Sequence, residues 1–64
     1  MKNYDYINTL GYRKRLTVDT NKLPNGKYSC TLWSRDTGDF CGSGELTYKE
    51  IDELLKHYGL SADF

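Results

Sequence analysis

Near its C-terminus the chain carries one helix whose start, stop and buried face can all be read from the residues, and this limits what the rest can fold into. Thr47-Tyr48-Lys49-Glu50 is a capping box: the threonine hydroxyl accepts from the Glu50 amide while the Glu50 side chain turns back to the Thr47 amide. Leu46 before the cap and Ile51 at the fourth helical position have the spacing of a hydrophobic staple. Ile51, Leu54, Leu55 and Tyr58 recur at i, i+3, i+4 and i+7, forming a single apolar stripe, with Tyr48 one turn upstream. Lys56 and His57 stand in the last turn, where the helix dipole favours cations. Gly59 can take the left-handed position after the last turn, and Leu60 can fold back onto Leu55. The pattern predicts a helix over 48–58. A single stripe buries against a single surface, so the remaining sequence must supply that surface.

Strand chemistry supplies it. Tyr28-Ser29-Cys30-Thr31-Leu32-Trp33-Ser34 is rich in aromatic and β-branched residues and contains no breaker. Arg35-Asp36-Thr37-Gly38-Asp39 then fits a three-residue hairpin loop with Gly38 in the left-handed position. That register pairs Arg35 with Asp39, Ser34 with Phe40, Trp33 with Cys41, Leu32 with Gly42 and Cys30 with Gly44. The opposite-charge pair beside the turn favours it over a tighter loop that would set Asp36 against Asp39. An earlier strand is expected from Arg13 to Asp19, where Leu16 and Val18 alternate with Arg15 and Thr17, returning through the turn signal Leu23-Pro24-Asn25-Gly26. Residues 1–11 stay open: Tyr4 and Tyr6 alternate as in an edge strand, while Tyr6, Ile7 and Leu10 also fit a helical turn. The expected fold class is α+β, a three-stranded antiparallel β-meander covered on one face by a C-terminal helix (βββα).

At 64 residues this is one small domain, spanning 1–64. A chain of this size buries only about 60% of the surface it exposes when unfolded, so dimerisation is a real option. The nine aromatics (six Tyr, two Phe, one Trp) supply much of the core bulk. No stretch approaches the roughly 20 apolar residues of a membrane span, and residues 1–6 lack the apolar region of a secretory signal; a cytoplasmic protein without membrane contact is expected. Cys30 and Cys41 are the only cysteines, and the register above puts them on opposite faces. A disulfide is therefore not expected.

The chain is neutral overall but divided. Residues 1–35 carry seven cations to two anions, and residues 36–64 carry seven anions to two cations. Side-chain alternation turns this split into two expected faces. Leu16, Val18, Tyr28, Cys30, Leu32 and Phe40 would pack on Ile51, Leu54, Leu55 and Tyr58. Arg13, Arg15, Thr17, Ser29, Thr31, Trp33, Arg35, Cys41 and Ser43 would occupy the open face of the sheet. Glu50, Asp52 and Glu53 would lie on the outer helix surface.

The usual signatures of catalysis are missing. Cys41 and His57 lack an orienting third group and a pocket, for which a thin two-layer domain leaves little room. Gly42-Ser43-Gly44 is neither a nucleophile elbow nor a phosphate loop. Two cysteines eleven apart do not have metal-ligand spacing. No cofactor, metal or catalytic residue is assigned, and a non-enzyme is expected. Two binding surfaces remain. The acidic helix face (Glu50, Asp52, Glu53) suits a basic groove on a protein. The open sheet face (Arg13, Arg15, Trp33, Arg35) suits DNA phosphates with an aromatic wedge, a protein hot spot, or a second copy of the chain docked through Trp33. Short basic runs such as Arg13-Lys14-Arg15 also serve simply to keep strands from aggregating.

In size, Tyr/Asn/Lys-rich composition and lack of catalytic motifs, the chain resembles the small proteins of phages and mobile elements. The expected sheet-plus-helix layout is similar to the arm-type DNA-binding domains of tyrosine integrases, with Arg13, Arg15, Trp33 and Arg35 at the DNA; the neutral net charge departs from those basic domains. The stretch from Tyr28 to Gly59 is similar in layout to phage inhibitors of uracil-DNA glycosylase. The resemblances imply a non-enzymatic protein that binds and inhibits or regulates a host or element-encoded protein, such as a defence nuclease or repair enzyme. The alternative they imply is a DNA-binding accessory domain.

Overall fold

A computed structural model describes residues 1–64. Four strands, β1 (Lys2–Ile7), β2 (Arg13–Val18), β3 (Tyr28–Ser34) and β4 (Phe40–Leu46), precede one helix, α1 (Tyr48–His57). The strands form an antiparallel meander in sequence order, so the expected three-stranded sheet has a fourth, N-terminal strand. Residues 2–7 take the strand option of the two left open. Lys2, Tyr4 and Tyr6 turn to the helix side, opposite Val18, Leu16 and Lys14 of β2. Asn8 then closes the β1–β2 hairpin, its side chain accepting from the amides of Leu10 and Tyr12, so the alternative of a helical turn through Tyr6, Ile7 and Leu10 is not adopted.

The helix forms as its sequence dictates. Both hydrogen bonds of the Thr47/Glu50 capping box are present. At the other end Tyr58 is the C-cap, Gly59 donates to the Lys56 carbonyl and Leu60 to that of Leu55, the paired bonds of a Schellman stop. Gly59 has φ 76°, a left-handed conformation that costs other residues roughly 1–2 kcal/mol.

The core comprises Tyr4, Leu16, Val18, Cys30, Ile51, Leu55 and Ala62, with Tyr6, Tyr28, Leu46, Leu54, Leu60 and Phe64 packed around it. Three of the expected sheet contributors are buried (Leu16, Val18, Cys30), while Leu32 and Tyr28 are half-buried. Tyr4 and the tail after the helix complete it. The Tyr4 hydroxyl donates to Asp63 Oδ1 at 3.1 Å, and the Tyr48 hydroxyl donates to the Ala62 carbonyl at 2.9 Å. Phe64 meets Tyr28 and Tyr48 edge-on, and Tyr6 stacks on Tyr58 with ring centroids 4.2 Å apart. β1 thus supplies the far wall against which α1 and the tail close.

Phe40 is not in the core but 60% exposed. The β3–β4 loop takes four residues, 35–38, with Ser34 and Asp39 joined at 2.9 Å across its base and Gly38 left-handed at φ 77°. This slips the register by one, and Phe40 faces Trp33. A bulge at Cys41 then restores the expected pairing, Leu32 with Gly42 and Cys30 with Gly44. The expected pairs Arg35–Asp39, Ser34–Phe40 and Trp33–Cys41 are therefore replaced. Phe40 moves to the open face, and Cys41 leaves it for the helix side, where its sulfur lies 3.7 Å from the Lys14 ammonium. The two cysteines consequently share a face, one buried and one exposed, and both are free thiols. No helix is long and apolar enough to cross a membrane.

Candidate binding surface

The molecule measures 34 × 23 × 15 Å, which accommodates one sheet and one helix layer and leaves the other sheet face bare. Strand pairing arranges that face in cross-strand rows. One row reads Asp5–Arg15–Trp33–Phe40 and the next Asn3–Thr17–Thr31–Ser43. The face carries a shallow, open depression lined chiefly by Arg15, Thr17, Thr31, Trp33 and Arg35.

The four residues expected on this face are brought together, but their charges are not free. Arg13 binds Asp36 through Nη2 at 2.6 Å and Nε at 2.7 Å. Arg15 binds Asp5 through Nε at 2.7 Å and Nη2 at 3.2 Å, and Arg35 Nε approaches the same carboxylate at 3.7 Å. The hydrogen bond from Arg15 holds the Asp5 carboxyl below its ordinary range, and Arg13 does the same to Asp36. Asp5 in turn pushes the Arg15 guanidinium further up. All five side chains are substantially exposed, so solvent screens each pair and the fold gains little from it. The larger effect is on the surface itself, where three guanidinia meet two carboxylates instead of standing as a basic patch.

Beside this lattice the Trp33 and Phe40 rings meet edge-to-face with centroids 5.8 Å apart. Trp33 is half-buried, and Tyr4 and Tyr6 lie on the other side of the sheet. In the second row the Thr17 hydroxyl donates to Asn3 Oδ1 at 3.0 Å, leaving Thr31 and Ser43 free to hydrogen-bond a ligand.

The acidic helix residues are placed differently. Glu50 accepts from the Thr47 amide at 3.0 Å, a bond that holds its carboxyl below the ordinary range. Asp52 pairs with Lys56 at 3.0 Å and also accepts from the Ala62 amide at 3.4 Å. The Lys56 contact is the main cause of its lowered carboxyl pKa. Glu53 is exposed and has no such partner. Two of the three carboxylates are therefore engaged in holding the helix and the tail. No three His, Cys, Asp or Glu side chains converge as a metal site would require.

Phe40 and Asp5 belong to the surface and were not assigned to it from sequence. Asp5 had a readable signal, since extending the alternation of Tyr4 and Tyr6 through β1 sets it opposite Arg15. Phe40 had none, because a one-residue bulge leaves no composition mark. Compared with protein-family models, curated proteins and solved structures, the chain matches none.

Proposed function

We propose that this chain is a non-enzymatic protein-binding module of phage or mobile-element type. Its contact surface is the open sheet face centred on Trp33 and Phe40, and it acts by inhibiting or regulating a host or element-encoded protein. The observation that carries this reading is the edge-to-face pair of half-buried Trp33 and exposed Phe40, set beside guanidinia already matched by carboxylates. Tryptophan and arginine in an otherwise near-neutral patch are the side chains that dominate protein–protein hot spots. DNA binding draws instead on unpaired cations that replace counterions on phosphates. The target class, a nucleic-acid enzyme such as a defence nuclease or repair enzyme, follows from resemblance to small phage inhibitors.

The second reading, a DNA-binding accessory domain, draws on Arg13, Arg15 and Arg35 sharing the open sheet face with Trp33. One pair of assays separates the two. In host lysate, cleavage or uracil excision of a labelled duplex is expected to fall on adding the wild-type protein and to recover with Trp33→Ala or Phe40→Ala. Direct binding to the same duplex is expected to be weak, with a shallow dependence on salt. Unchanged enzyme activities together with tight, salt-sensitive duplex binding would overturn the protein-binding reading in favour of DNA.

A further inference from the structure

We propose that the free edge of β4 pairs with β4 of a second copy, antiparallel about a two-fold axis at Gly44, joining two sheets into one of eight strands. Three features of β4 point to this occupant. The first is backbone direction. Ser29 accepts from the Asp19 amide on the β2 side, while the Ser34 amide donates to Asp39 on the β4 side. By alternation Cys30 and Leu32 turn their polar groups to β4, and their partners Gly44 and Gly42 turn theirs to β3. Ser43 and Glu45 therefore point their amides and carbonyls outward. A two-fold axis at Gly44 pairs Ser43 with Glu45 of the partner subunit, and the reverse, so all four outward groups on each strand are satisfied.

The second is shape. On the helix side the space above Gly42 and Gly44 is open, with no heavy atom within 4 Å of where a side chain would stand. A groove of about 230 Å³ runs there, walled by Leu16, Cys30, Leu32 and Leu46. The same two-fold sets Leu46 of each copy opposite Gly42 of the other, on the helix side of both sheets. A branched apolar side chain then lies over a position that has none. The third is charge. Between Phe40 and Leu46 the one charged residue is Glu45, held by Asn25 Nδ2 at 2.8 Å, and in this register it meets Ser43 rather than another carboxylate. The other edge, β1, carries Lys2 and Asp5, and charges of this kind deter strand addition.

The register is tested with a matched pair of substitutions at Ser43, whose side chain lies on the open face and away from the core. Ser43→Glu sets two carboxylates against the two Glu45 side chains and is expected to weaken the dimer roughly tenfold. Ser43→Lys sets ammonium groups there and is expected to preserve or tighten it. Sedimentation equilibrium of the full chain over a concentration series reads the masses, and amide spectra confirm that each variant is folded. In the wild type the Ser43 and Glu45 amides are expected to become protected from hydrogen exchange as concentration rises, with a cross-peak between Gly44 Hα protons in mixed-label samples. A wild type monomeric at every concentration would overturn the proposal. So would a dimer indifferent to the sign of the charge at residue 43, and one abolished by Trp33→Ala alone would place the interface on the open face instead.

Discussion

Replacing Asp5 by asparagine keeps the size of the side chain and removes its charge, which isolates what that carboxylate does to the open face. Asp5 takes two hydrogen bonds from Arg15 and lies 3.7 Å from Arg35. The side chains of Arg15 and Arg35 are 41% and 39% exposed, so solvent screens the pair and losing this partner should cost the fold little. The electrostatic change is larger in consequence. One carboxylate, that of Asp36, then faces three guanidinia. Each cation newly able to meet a phosphate steepens the dependence of log affinity on log salt by about 0.9. With Arg15 and Arg35 both released, the steepening should be about 1.8, or a roughly tenfold larger affinity gain between about 200 and about 50 mM salt than in the wild type. Fluorescence anisotropy of a labelled duplex across a salt series measures the slope, and urea unfolding measures the cost to the fold. Superimposable slopes for wild type and Asp5→Asn would refute the claim that Asp5 neutralises this face. A stability loss above about 2 kcal/mol would show the pair to be part of the fold's framework instead.

Other expectations follow from the core and the titrating groups. Ile51 is fully buried, and Ile51→Ala should cost about 2–5 kcal/mol, a large share of the roughly 3–10 kcal/mol expected for a domain of this size; a urea-midpoint shift equivalent to under about 1 kcal/mol would mean that the stripe does not hold the helix. Asp5, Asp36, Glu50, Asp52 and Asp63 all have folded-state carboxyls below their ordinary range through hydrogen bonds. Their contribution is therefore complete above the ordinary carboxylate range near pH 4 and is lost as pH falls through the lowered values, so thermal midpoints should decline on acidification below about pH 4. Burial raises the Tyr4 and Tyr6 phenols, so that part of the stability should persist to about pH 10 and fall above it, alongside tyrosinate absorbance. Cys41 is exposed and Cys30 buried, with burial pushing the Cys30 thiol up; a thiol reagent should therefore label one cysteine in the native protein and both in denaturant.

The helix was legible to within a residue because its determinants are local: a cap, a stripe and a glycine stop all lie within fourteen residues of one another. The sheet was legible where alternation is strong, as in Leu16/Val18 and Cys30/Leu32, and the register returned to the expected pairing beyond Cys41. Two features escaped because they depend on distant partners. β1 alternates in a form that suits a helical turn equally well, and only Tyr6 meeting Tyr58 and Tyr4 meeting Asp63 decide between them. The loop of four residues and its compensating bulge exchange Phe40 for Cys41 on the open face without altering the composition of either strand. The candidate surface was correspondingly half legible. Arg13, Arg15, Trp33 and Arg35 were placed on one face by β2 and β3 alone, whereas Asp5 needed the fourth strand.

That fourth strand changes what the division of charge along the sequence means. A basic first half and an acidic second half become two oppositely charged faces only if each half keeps to its own side. Here β1 carries Asp5 onto the face of Arg15, and the β3–β4 loop swings Asp36 onto Arg13. At separations of 2.6–3.7 Å, well inside a Debye length of about 8 Å at physiological salt, each pair presents to a distant partner little more than a dipole. Long-range steering of a polyanion is thereby weakened. At contact the result is different, because the carboxylates hold planar guanidinia in fixed orientations beside the edge-to-face pair of Trp33 and Phe40. A partner that docks there meets ordered donors and aromatic area whose conformational entropy is already partly spent, which favours affinity at short range. A surface built this way suits selection by shape and hydrogen bonding rather than by net charge, and that is the physical basis of the proposed protein-binding role.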